Sequence, residues 1–345
     1  MKARLGLALA AAATALAIAC GGVSAPAAPS GPVTLRLGYF QNLGHAPALV
    51  GLKKGFFAST LGSQVTLQTA TFNAGPDEVE ALLSRSLDVA YMGPNPAITA
   101  YVRSHGQAVR IISGATSGGS ALVVKPSITS AADLRGKTVA SPQLGNTQDV
   151  ALRWWLGQRG LKTGLQGGGD VTVQPLDNAT ALQAFKAGQI AGAWVSEPWV
   201  SRLQLEAGGK LLVDERDLWP GGRFVTVQVV VRTEFLNRNR AVVERLLEGQ
   251  FEAGEYLRTY PGDAQKLVGD ALGELTGKRL PDATVAAAWS RLAFTEDPLA
   301  GTLKQASDHA VQLGLTPKAD LSRAYDLSLL NQVLARHGRP AVKGL

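Results

Sequence analysis

The chain has 345 residues, 46% of them hydrophobic and 18% charged, with a formal net charge of +7, which suits a globular protein long enough for two domains. A single cysteine excludes an internal disulfide framework, and four scattered histidines, His45, His105, His309 and His337, carry no zinc spacing. The basic residues form no run of five or more with interleaved aromatics, which argues against nucleic acid as a partner and leaves a diffuse positive field able to collect small anions.

The chain opens on "MKARLGLALAAAATALAIAC", a basic start followed by an apolar run too short for a stable membrane span. Ala19-Cys20-Gly21, followed by a Gly/Ala/Pro/Ser stretch, resembles a bacterial lipoprotein signal. Leucine usually stands three residues before such a cysteine; here Ala17 does, with Leu16 one place earlier. The resemblance implies a signal over 1–19, a lipid on Cys20, a flexible tether over 20–32, and a place outside the cytoplasm on the periplasmic or cell-surface side.

The alternation in "VTLRLGYF", Val33 to Phe40, predicts the first strand. "APALVGLKKGFF" reads as a helix ending at Gly55, and "SQVTLQTATF" as the second strand. "GPDEVEALLSRS" is a helix with Pro76 in its first turn and two acids behind it, both favourable there. "LDVAYMG", "PNPAITAYVRSHG" and "AVRIISGAT" continue as strand, helix, strand, the pattern of a parallel α/β sheet.

The pattern restarts at "ALVVK", with a short helix in "SAADLRG" and a strand in "KTVAS". A helix opening at Gly145-Asn146-Thr147, strand "VTVQPL", helix "NATALQAFKAGQ", strand "IAGAWV" and helix "EPWVSRLQLEAGG" follow. After the β-branched run "FVTVQVVVR" the chain is mostly helical, in "RAVVERLLEGQFEAGEYLRTY", "ATVAAAWSRLAF", "GTLKQASDHAVQLG" and "AYDLSLLNQVLAR". The last part cannot build another α/β unit alone and is best packed on the first. The expected organisation is therefore lobe 1 from 33–120 and 226–345, and lobe 2 from 121–225. Chain crossings near 121–125 and 224–232 would make a hinge with a cleft between the lobes.

Several loops after strands carry small polar residues. Gly145, Asn146 and Thr147 begin a helix, where free N–H groups and the dipole favour an anion. Gly75, with Asn73 before it, begins another, although Asp77 just inside would repel an anion unless it points away. Gly93 and Asn95 follow a strand; Thr116, Ser117 and Gly119 sit at the expected crossing; Gln41, Asn42 and His45 follow the first strand. Each also reads as simple capping. Together they lie at the carboxyl ends of successive strands, where open α/β sheets bind ligands. Glu197-Pro198-Trp199 opens a further helix, with Trp199 a cleft wall or lobe packing and Glu197 a partner for a cation. No G-x-S-x-G elbow and no Walker lysine is present.

The strings "FNAGPDEVEALLSRSLDVAYMGPNPAI", "DLRGKTVASPQLGNTQDVALR" and "AFKAGQIAGAWVSEPW" resemble the solute-binding proteins of ABC importers for aliphatic sulfonates, taurine and nitrate. The resemblance implies a type II periplasmic-binding fold with two α/β lobes joined by two crossover strands, no catalysis and no cofactor. It implies a monomer that hands a small anion to ABC permease subunits. Carried onto matching positions, it points to Gln41, Gly75, Gly93, Asn95, Ser117, Gly145, Asn146, Thr147, Glu197 and Trp199 as ligand contacts. An aliphatic sulfonate is the favoured ligand; taurine, whose amine Glu197 would meet, nitrate and bicarbonate stay open. A pyrimidine-precursor synthase-like enzyme on the same fold would need a reactive His45. An adhesive surface lipoprotein would need no convergent cleft.

Overall fold

Alternation sends Leu35, Leu37 and Tyr39 to one face of β1 (Val33–Phe40), where all three are buried. The computed structural model describes residues 31–345; the leader, Cys20 and the tether through residue 30 lie outside the described residues. β1 pairs in parallel with β2 (Val65–Phe72) and β3 (Val89–Met92). β4 (Val109–Gly118) completes the first run. β5 (Ser120–Val124), β6 (Thr138–Ser141), β7 (Thr172–Pro175), β8 (Gly192–Ser196) and β9 (Lys210–Asp214) follow, then β10 (Val225–Arg232) and β11 (Leu292–Phe294). They form two sheets, in the orders β11-β4-β10-β3-β1-β2 and β7-β6-β8-β5-β9.

The type II periplasmic-binding architecture is present: two mixed α/β sheets, each flanked by helices, in two lobes. β10 runs antiparallel between β3 and β4, deep inside the first sheet. Its Val-rich run is buried on both faces, which is why it reads as continuous rather than alternating. The 20-residue helix Arg240–Thr259 lays Val243, Leu246, Leu247 and Phe251 on the core under β1 and β10.

The chain passes between the sheets at Gly118-Gly119, both at positive φ (79° and 75°). A Cβ at Gly118 would lie 2.4 Å from the Arg291 carbonyl oxygen, and one at Gly119 would lie 2.3 Å from Leu292 Cδ2. Only glycine fits both demands. The return runs through two short 3₁₀ turns, Glu215–Leu218 and Pro220–Gly222. The two passages are tied together: Ser117 Oγ accepts the Phe224 N–H at 3.2 Å, and Thr226 Oγ1 donates to the Gly118 carbonyl at 2.6 Å. The segments 121–125 and 224–232 thus lie just beyond the passages, inside the second and first sheets respectively.

Several elements differ from the sequence reading. The first helix ends at Lys53 and a second, Phe56–Leu61, starts beyond Gly55. Helix Pro261–Thr276 has no counterpart in the sequence reading; its Ala264, Val268, Ala271 and Leu272 recur at helical spacing on the core. β9 is a short edge strand that its apolar run alone does not separate from a loop. The helix expected over 283–294 stops at Trp289, and Leu292–Phe294 pair with β4 instead. Among the described residues no helix is long and apolar enough to cross a membrane.

Glu215 sits buried in the return passage, its Oε2 accepting from Trp194 Nε1 at 2.8 Å. Burial pushes its carboxyl from 4.5 up to about 7, against the opposing hydrogen bond from Trp194. A raised folded-state pKa contributes stability that is complete below about 4.5 and is lost as pH rises through about 7. The Glu215→Gln variant should therefore gain ~3 kcal/mol relative to wild type between acidic pH and pH 8, read from urea unfolding at both pH values. A difference independent of pH would show that this carboxyl ionises freely in the fold.

Candidate functional site

The carboxyl ends of β1, β3 and β8 and the start of helix Thr147–Gly157 meet between the lobes around a small pocket of about 30 Å³. Its walls include Asn42, His45, Gly93, Asn146, Thr147, Gln148, Ser196 and Thr226, with Phe40 at one side. Two of these polar side chains have no partner within the protein: Asn42 Oδ1 and Thr147 Oγ1, on residues only 7% and 6% exposed. Buried polar groups are normally paired, so these two atoms, an acceptor on Asn42 and a hydroxyl on Thr147, are free to meet a ligand in the pocket. Gly93 faces Thr147 across the lobes, and a Cβ there would lie 2.4 Å from Thr147 Oγ1. Gly93 also caps helix Pro94–Arg103, but Pro94 and Pro96 carry no N–H, so of the first three helical positions only Asn95 has an amide to offer.

No wall residue of this pocket is an acid, a lysine or an arginine. His45 is held neutral, because burial pushes its imidazole down to about 3. Its Nδ1 accepts the Phe40 N–H at 3.1 Å, so the proton rests on Nε2. Stacked on Phe40 with ring centroids 4.5 Å apart, His45 is a fixed neutral donor and not a proton shuttle.

The helix start at Asn146-Thr147 is more heavily built than its sequence suggests. Asp149, in the first turn, accepts from Ser141 Oγ at 2.7 Å, from the Gly145 N–H at 3.0 Å and from Arg153 Nε at 3.0 Å. Both partners of this ion pair are fully buried. The Gly145 amide, expected to meet a ligand, is thus spent on an internal carboxylate. Asn146 Oδ1 accepts the Thr147 N–H, and Gln148 Nε2 reaches Ser120 Oγ at 2.9 Å. The amides of Gln148 and Asp149 are beyond the reach of any intrahelical carbonyl.

Of the other expected contacts, Gln41 and Trp199 line a second, wider cleft of about 710 Å³ that shares Phe40 and Asn42 with the small pocket. Glu197 lines neither. Fully buried, it accepts from Ser201 N–H and Oγ and from Arg291 Nη1 at 3.0 Å, a pair that bridges the lobes. Burial raises its carboxyl pKa, and Ser201 and Arg291 pull it back. Ser117 serves the passage between the lobes. Gly75 lies under Pro96, where a Cβ would approach Pro96 Cγ to 2.1 Å. Asn95 donates to the Ala306 carbonyl at 3.3 Å and lines a separate small void. Among the described residues no group of three or more His, Cys, Asp or Glu is placed to hold a metal ion.

The sequence profile of the NMT1-like family matches residues 28–269. This chain belongs to the NMT1-like family. It is 29% identical over 210 residues to the taurine-binding periplasmic protein of Escherichia coli, covering 60% of this chain and 62% of that one. In three dimensions it resembles the alkanesulfonate-binding protein of Xanthomonas axonopodis bound to MOPS, with a TM-score of 0.69 and 21% identity over 84% of this chain and 96% of that one. It also resembles the periplasmic nitrate-binding protein of Synechocystis, with a TM-score of 0.74 and 16% identity over 90% of each chain.

In this NMT1-like chain several wall residues escaped the sequence reading. Phe40 and Phe72 are the register-paired last residues of β1 and β2, where an aromatic at a strand's end was the available signal. Ser196 and Thr226 sit inside strands and carry no local mark. Lys278 to Pro281 follow helix Pro261–Thr276, which the sequence reading does not include. The Asp149–Arg153 pair, which the sequence does not announce, sets the pocket's second wall. Arg153→Met would leave Asp149 buried without its counter-charge, and should lower unfolding free energy by ~3–5 kcal/mol in urea titrations. A loss under about 1 kcal/mol would show that Ser141 and Gly145 suffice to hold the carboxylate.

Proposed function

We propose that this protein is the extracytoplasmic solute-binding component of an ABC importer. It closes its two lobes on a small organic anion and delivers it to permease subunits. It works as a monomer held at the membrane by a lipid on Cys20. The observation that carries the ligand reading is Thr147 Oγ1, a buried hydroxyl with no protein partner that can donate to an anion, in a pocket walled by neutral groups; Asn42, whose unpartnered atom is the acceptor Oδ1, meets an anion through its Nδ2 amide. Such a pocket holds charge by hydrogen bonds and helix starts rather than by ion pairing. The family and its named relatives support the same class of role.

An aliphatic sulfonate is the favoured ligand. Its charge is spread over three acceptor oxygens, which suits several neutral donors. Taurine is disfavoured because Glu197, the acid expected to meet its amine, is already committed to Ser201 and Arg291. The small pocket itself has no acid in its walls for an amine.

Calorimetric titration of residues 31–345 with ethanesulfonate, pentanesulfonate, taurine, nitrate, bicarbonate and phosphate tests this reading. One-to-one binding is expected for the alkanesulfonates, with taurine weaker. Binding of none of them would remove the anion reading. Asn42→Ala and Thr147→Ala should each weaken sulfonate binding by ~1–2 kcal/mol, and unchanged affinity in both would move the site elsewhere. Affinity should also stay flat from pH 5 to 8, since His45, pushed down to about 3, is neutral throughout. A gain in affinity as pH falls through about 6.5 would instead assign the charge to a protonated histidine.

A further inference from the structure

We infer that the solute carries an aromatic body on its anionic head, in place of the plain alkyl chain of an aliphatic sulfonate, an inference that rests on the head occupying the pocket proposed above. A single water needs roughly 10–15 Å³, so about 30 Å³ admits a head group of a few atoms and no more. The adjoining cleft of about 710 Å³ lies in the range of roughly 300–1,000 Å³ that takes whole organic ligands. Methanesulfonate or nitrate would leave it filled with water. Because the two spaces share Phe40 and Asn42, a ligand with its head between Asn42 and Thr147 directs its body into this cleft.

The cleft's walls say what that body is. Phe40 and Phe72 come from one lobe and Trp199 from the other, and all three are half-buried, with ring surface left to cover. Leu272 and Leu280 add apolar surface. Arg202 lies 4.5 Å from the Trp199 ring centroid and is paired with Glu206, while Arg279 is paired with Asp270 and Asp282. These two cations are already neutralised, and the remaining charges of the lining, Lys278 and Asp177, are of opposite sign, so the body needs no second charge. A flat, uncharged ring system between aromatic walls of opposite lobes also gives closure a direct gain, because both lobes touch it at once.

The test keeps the head constant and enlarges the body. Methanesulfonate, benzenesulfonate and naphthalene-2-sulfonate are titrated calorimetrically into residues 31–345, then into Trp199→Ala and Phe72→Leu. Affinity should rise ~10-fold or more from the first ligand to the last, and each variant should bring that ratio down toward one. Equal affinity for methanesulfonate and naphthalene-2-sulfonate would overturn the aromatic body while leaving the anion receptor standing. A rise that survives in both variants would also overturn it, since these walls would then not hold the ring. If no sulfonate binds at all, the anion reading fails and this inference falls with it.

Discussion

The buried pair of Asp149 and Arg153 is the contact on which the pocket's second-lobe wall depends. Asp149 sits where the helix dipole is positive and gathers the Ser141 hydroxyl and the Gly145 amide, while Arg153, one turn on, balances it. Removing a charge from water is expensive, and on the Asp149 carboxylate three donor groups compensate it. The same carboxylate uses part of the helix start's capacity for an anion. What remains for a ligand is short-range: the Thr147 hydroxyl, the Asn146 side chain and two amides. The wall is therefore a set of directional neutral donors held by an internal ion pair.

The contacts between the lobes gather beside the two passages of the chain. Glu197, whose N–H donates to the Gly119 carbonyl at 2.8 Å, reaches Arg291 across the first. Trp154 stacks on His309 with centroids 3.8 Å apart, and His309 lies 6.0 Å from Trp219 of the second. Ties next to a pivot have short lever arms and change little in length when the lobes rotate. At the pocket the two lobes come together where Gly93 meets Thr147. The committed role of Glu197 follows from this division: it belongs to the pivot, and its burial is tolerated because three donors surround it.

Most strands in their chain succession, the two α/β units and the family strings were legible in the sequence, because hydrophobic periodicity and glycine placement are local properties; the pairing order of the sheets and the strands β9 and β11 were not. Gly93, Asn146, Thr147, Gln41 and Trp199 were legible as well, since they follow strands or open helices at the cleft. Gly75, Ser117, Gly145 and Glu197 carry the same local marks and do something else. Capping, tight packing and ligand contact all recruit Gly, Ser, Asn and Glu at the same positions, and the choice is made by neighbours far away in sequence: Pro96 for Gly75, Phe224 for Ser117, Arg291 for Glu197. Asp149 decided against Gly145 from only four residues away, yet nothing in a helix's first turn tells which way an aspartate folds.

A pocket without countercharge ranks anions by the hydration they lose on entering it. Compact, strongly hydrated anions lose the most and recover only what neutral donors return. An anion with one charge spread over several oxygens loses less, and each oxygen can still meet a hydroxyl or amide. Such a pocket supplies orientation and rejection more than binding strength, because each hydrogen bond replaces one made to water. The strength must come from surface removed from water, and the surface available lies in the wide cleft of Phe40, Phe72 and Trp199. The division of labour is thus dictated by the absence of charge at the floor: a head read by donors, and a body held by rings on two lobes that close together around it.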